Sequence, residues 1–146
     1  MAQEQNTQTL LDFLANNGRE VGHLRDMTST YRERQLAFRG ILRHAEQEIR
    51  DLRPALNGDN HGDALVAIAR FHSIEDMASE ALTIVDTMLR WLGELVALLA
   101  EIHTNPQLAG GFQRTFILAR EIKYIHVRLG PYVSASLQVL RQDLQT

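Results

Sequence analysis

Between Val21 and Leu52 an apolar or semi-polar position returns every three and four residues: Val21, Leu24, Thr28, Tyr31, Gln35, Phe38, Leu42, Ala45, Ile49 and Leu52. That spacing keeps one side of an α-helix in line, so it predicts a long helix over about residues 19–53. Thr28 and Gln35 are the two polar layers in this seam, and a polar seam position tends to fix register. The remaining positions are heavily charged, as a solvated back face requires.

A second helical pattern covers about 63–103. It is weak until Ser73, where "SIED" resembles a capping box with Ser73 as the N-cap, so a kink or restart is expected there. Beyond it the seam runs through Ile74, Met77, Ala81, Ile84, Met88, Trp91, Leu95, Leu98 and Ile102. Ala78, Val85, Leu92 and Leu99 add a second line, and Leu82, Leu89 and Val96 a third. Such breadth exceeds a two-stranded coiled-coil seam and calls for neighbours on several sides.

The third pattern spans about 112–144, with Phe116, Ala119, Ile122, Leu129, Val133, Leu137 and Leu140 on one side. Pro131 removes a helix hydrogen bond, so a kink or break is expected there. Breaker clusters separate the three patterns: "RPALNGDNHGD" and "TNPQLAGG". No stretch alternates as a strand would.

The expected fold is therefore all-α. It is an elongated antiparallel up-down-up bundle of three long helices with a short N-terminal helix over about 8–17, resembling a four-helix bundle in one domain, 1–146. Each arm is roughly 50 Å long at 1.5 Å per residue. Centring the first reversal near residue 57 sets Tyr31 level with Ile84 and Phe38 with Met77. The second reversal sets Trp91 near Tyr124 and Leu98 near Ile117.

In this arrangement the first helix begins level with about residue 96 and leaves the last, all-round apolar turns of the second uncovered. Leu10, Leu11, Phe13 and Leu14, in the amphipathic "TLLDFLAN", are placed to fold back over them. The rival arrangement is association: a second copy or another protein packs on Trp91, Leu92, Leu95, Val96 and Leu99, with the N-terminal segment as cover or exchanged arm.

Composition narrows the function classes. A 45% hydrophobic and 23% charged chain of 146 residues is long enough to bury a core and is unlike a disordered one. The net charge of −3 argues against nucleic acid, which requires a basic face. Without cysteine there is no disulfide, thiol nucleophile or thiolate metal site. The window Ile84–His103 contains Asp86, Arg90, Glu94 and Glu101, and each central charge costs roughly 2.5–3.5 kcal/mol on insertion, so no membrane span is expected. The N-terminus lacks the positive region of a signal peptide, which points to the cytoplasm. Fourteen arginines to one lysine, Lys123, fit a GC-rich bacterial or phage genome.

Candidate chemistry is sparse. His44 and His72 fall level in the bundle, with Glu48 and Asp76 four residues after each and Asp143 near the same height, which defines a candidate divalent-metal site. Both histidines occupy outward positions, where a solvated charged face is the simpler reading. Glu20-x-x-His23 matches half of the di-iron carboxylate pattern, but no second copy exists. His126 interrupts an apolar face in "EIKYIHVRLGPY"; a core-edge histidine held by a hydrogen bond is expected, with phosphotransfer as the alternative. Trp91-Leu92-Gly93 reads as core packing, with Gly93 allowing close helix approach. The arginines from Arg32 to Arg53 alternate with Glu33, Glu46, Glu48 and Asp51, a mixed solvated face.

No nucleophile elbow, phosphate loop or convergent catalytic set can be placed, so an enzyme is not expected and no cofactor is implied. The reading is a cytoplasmic protein–protein interaction module, a small scaffold, adaptor, chaperone or inhibitor, with self-association as a homodimer among its possible partnerships. A His/carboxylate metal- or ligand-binding bundle is the alternative.

Overall fold

A computed structural model describes residues 18–59, 61–104 and 109–145, with side chains described over 24–59, 61–101 and 113–145. The expected helix at 8–17, with Leu10, Leu11, Phe13 and Leu14, lies outside the described residues, as do the side chains of Glu20 and His23. Among the described residues all but Gly58 and Asp59 are helical, and there is no strand. Three α-helices are described: α1 Gly18–Leu52, α2 His61–Thr104 and α3 Ala109–Gln145.

α1 ends where Arg53–Asn57 tighten into a 3-10 turn. Pro54 has no N–H for an α-helical bond, and its ring disfavours continued helix at the residue before it. The Gly58 N–H then donates to the Ala55 carbonyl at 3.1 Å and closes the turn. α2 starts with Asp63 in its first turn, where a carboxylate meets the positive end of the helix dipole.

Helix continues across positions where a restart or break was open. α2 is continuous through Ser73, so "SIED" is helix interior and not a cap. α3 begins ahead of Gly110-Gly111 and runs through Pro131 without ending. A proline inside a helix costs about 3 kcal/mol. Val133, Leu137 and Leu140 are buried beyond it, and each apolar side chain so buried contributes about 1.5–3 kcal/mol, enough to offset the lost bond.

The chain divides into two compact units, each drawing on all three helices. Unit 1 contains α1 up to Arg32 with Thr87–Arg128, and unit 2 contains Glu33–Asp86 with the chain from Leu129 onward. The buried apolar set of unit 1 is Tyr31, Met88, Leu92, Leu95 and Ile122, with Thr115 buried among the polar residues. In unit 2 it includes Phe38, Ile41, Ala45 and Ile49 of α1, Ile74, Ala78, Ala81 and Val85 of α2, and Val133, Leu137 and Leu140 of α3.

The α1 seam is buried at Tyr31, Phe38, Ala45 and Ile49, and Ile41 joins it. On α2 the expected seam is buried at Ile74, Ala81, Met88 and Leu95, and its other half is replaced by the second apolar line. Ala78, Val85 and Leu92 are fully buried, whereas Met77, Ile84, Trp91 and Leu98 are half-buried. A helix apolar all round offers no contrast between adjacent seams, so its neighbours decide which line faces inward. On α3, Phe116 and Leu129 are exposed instead of buried.

One contact between α1 and α2 also departs from the expected ladder. Gln35 Nε2 donates to Asp86 Oδ1 at 2.7 Å, more than a turn beyond the Glu80 that the ladder sets opposite it. Gln35 thus acts as a polar layer by pairing with a neighbouring helix. Thr28 instead donates to the Leu24 carbonyl of its own helix, at 2.7 Å.

Candidate functional site

The association residues proposed on α2 fall into three environments. Leu92 is 0% exposed and Leu95 is buried beside it in unit 1. Trp91 and Leu99 are half-buried, and Val96 is 45% exposed. Gly93 is exposed, and a Cβ built there meets nothing within 4 Å, so it is not a close-approach glycine.

The histidines and carboxylates of the candidate metal site pair within their own helices. His44 Nε2 lies 3.9 Å from Glu48 Oε1, both half in solvent. His72 Nδ1 is 2.8 Å from Glu75 Oε1, a residue short of Asp76. His72 shares a solvent-open depression with Glu46, Ile49, Arg50, Arg53 and Glu75, past His44 along α1. Among the described residues, no group of three or more His, Asp or Glu is arranged to hold a metal. The charged face of α1 carries local pairs, Glu46 with Arg50 at 4.0 Å and Gln47 donating to Asp51 at 2.9 Å.

His126 has a defined partner. Its Nδ1 is hydrogen-bonded to the Tyr31 hydroxyl at 3.0 Å, and the two rings meet edge to face with centroids 5.9 Å apart. Tyr31 is buried and His126 half-buried. With the imidazole proton on Nε2, the Tyr31 O–H donates and both polar tips are satisfied within unit 1. His126 is thus a hydrogen-bonded histidine at the edge of the unit 1 core.

The feature that sequence reasoning missed lies on the outer side of α3. Thr115 and Ile122 point inward, and Ile117, Arg120, Glu121, Tyr124, Val127 and Arg128 fall on the opposite face at helical spacing. Ile117 is 63% exposed, Tyr124 58% and Val127 62%. Two depressions open to solvent flank Tyr124. One is lined by Arg120, Lys123, Tyr124, Val127 and Arg128, the other by Ile117, Arg120, Glu121 and Tyr124. The Arg128 guanidinium lies 5.2 Å from the Tyr124 ring centroid, a cation–π contact that holds both side chains along the helix. Nearby, Arg114 is paired with Glu94 of α2.

The signal for this stripe was available in "FILAREIKYIHVRLG". Apolar residues recur there on two sides of the helix, and a helix packed on one side needs only one. The chain matches no protein-family model, no curated protein and no solved structure. No helix among the described residues is long and apolar enough to cross a membrane.

Proposed function

We propose that this protein is a non-enzymatic interaction module that binds another protein along a helix face, as a small scaffold, adaptor, chaperone or inhibitor does. The carrying observation is the exposed stripe of Ile117, Tyr124 and Val127 on α3, rimmed by Arg120, Lys123 and Arg128. Tyrosine and arginine are the side chains most enriched among those that dominate binding energy at protein interfaces. Apolar anchors at i, i+7 and i+10 suit a partner helix laid alongside.

The helices of unit 2 are proposed to pack as an antiparallel bundle. Two observations support this for α1 and α2. Gln35 is hydrogen-bonded to Asp86, and the later residues Glu46, Arg50 and Arg53 line one depression with the earlier His72 and Glu75.

Self-association through the last turns of α2 has less support, because Leu92 and Leu95 are already buried in a single chain. The test is a photo-crosslinking residue at position 124, with the same residue at exposed Arg25 as control, in the cell of origin. A discrete cross-linked protein at 124 alone, lost in an Ile117→Asp/Val127→Asp variant, is expected. Identical products from both positions would refute the α3 face as the docking surface.

A further inference from the structure

We infer that the partner of the α3 stripe is an acidic amphipathic helix, an inference that rests on the docking reading above and assigns its chemistry. The argument is charge and shape at one face. Arg120, Lys123 and Arg128 are exposed there against a single carboxylate, Glu121. The whole chain carries a net charge of −3, so this cationic stripe stands against the sign of the molecule.

A second copy does not fit. An antiparallel pair of α3 helices crossing at Tyr124 sets Arg120 of one against Arg128 of the other. A parallel pair sets each cation against itself. Like charges directly across an interface disfavour both arrangements. Nucleic acid leaves the apolar part of the face unused, because Ile117 and Val127 have no role on a phosphate backbone. A membrane-surface helix needs a broad band of large apolar side chains, and this stripe presents Ile117, Tyr124 and Val127 in single file.

An acidic helix satisfies both parts of the face. Its apolar residues at i, i+3 or i+4, and i+7 fill the depressions on either side of Tyr124, and its flanking carboxylates reach Arg120 and Arg128. From Ile117 to Val127 the stripe is roughly 15 Å long at 1.5 Å per residue, so three to four turns of partner cover it.

The test uses the full chain, isotope-labelled for NMR, and a synthetic 14-residue helix with leucines on one face and glutamates elsewhere. A counterpart with every glutamate replaced by lysine is the control. Saturable shifts confined to residues around 117–128 are expected with the glutamate helix only, weakening as salt rises. Arg120→Glu/Arg128→Glu should reduce the affinity at least tenfold while leaving the melting temperature in place. Equal binding of both helices, or affinity untouched by the charge reversal yet lost in Ile117→Asp/Val127→Asp, would overturn the acidic partner and leave the docking face standing. No saturable shift at millimolar peptide, or shifts elsewhere only, would overturn the inference too. So would recruitment by phosphatidylserine vesicles or oligo-dT through the same residues in place of the peptide.

Discussion

The Tyr31 hydroxyl and His126 Nδ1, 3.0 Å apart, join α1 to α3 within unit 1 through two side chains that are 95 residues apart in sequence. Tyr31 is among the largest fully buried side chains, so its hydroxyl needs a partner inside the protein. Tyr31→Phe removes the bond and keeps the ring. A loss of about 0.5–1.5 kcal/mol is expected in denaturant unfolding, because one hydrogen bond is lost and half-buried His126 can turn to water. Tyr31→Ala also removes the ring, and the expected loss rises to about 3–5 kcal/mol. Equal losses in the two variants would mean that the ring does not pack as described.

Leu92 and Val96, one turn apart on α2, should behave oppositely. Leu92→Ala opens a cavity in unit 1 and is expected to lower stability by about 2–5 kcal/mol. Val96→Ala, at a 45% exposed position, is expected to change it by no more than about 0.5 kcal/mol. Thermal melts of the two single variants decide the point. Similar melting temperatures would show that the buried line on α2 is not the one described.

Pro131 is exposed inside α3, so its removal restores a backbone hydrogen bond without opening a cavity. Pro131→Ala is expected to raise stability, by up to about 3 kcal/mol. Lower stability would instead reveal a packing role for the ring.

The stripe on α3 should be dispensable for folding. Ile117→Ser and Val127→Ser are each expected to shift unfolding by no more than about 0.5 kcal/mol, as exposed positions do. A loss of several kcal/mol in either would place that side chain in a core and remove it from any docking surface.

The sequence by itself determined the helices. Apolar residues at 3.6-residue spacing, with proline, glycine and asparagine clusters between them, specify three long helices to within a few residues, because local backbone propensity and periodicity are written along the chain. It marked Tyr31, Phe38, Ala45 and Ile49 for the core, since α1 has one apolar face and charge elsewhere.

Only the tertiary structure decided what depends on neighbours. α2 is apolar on several sides; the seam's Ile74, Ala81, Met88 and Leu95 are buried, and packing added the second line, Ala78, Val85 and Leu92, in place of the seam's Met77, Ile84 and Trp91. Pro131 stays helical because side chains beyond it are buried, a balance that no local rule contains. His126 gained its partner from α1, and Ile117, Tyr124 and Val127 were left outside because the opposite side of α3 packs inward. Periodicity along one helix fixes which residues share a face; which face is buried depends on the helices packed around it.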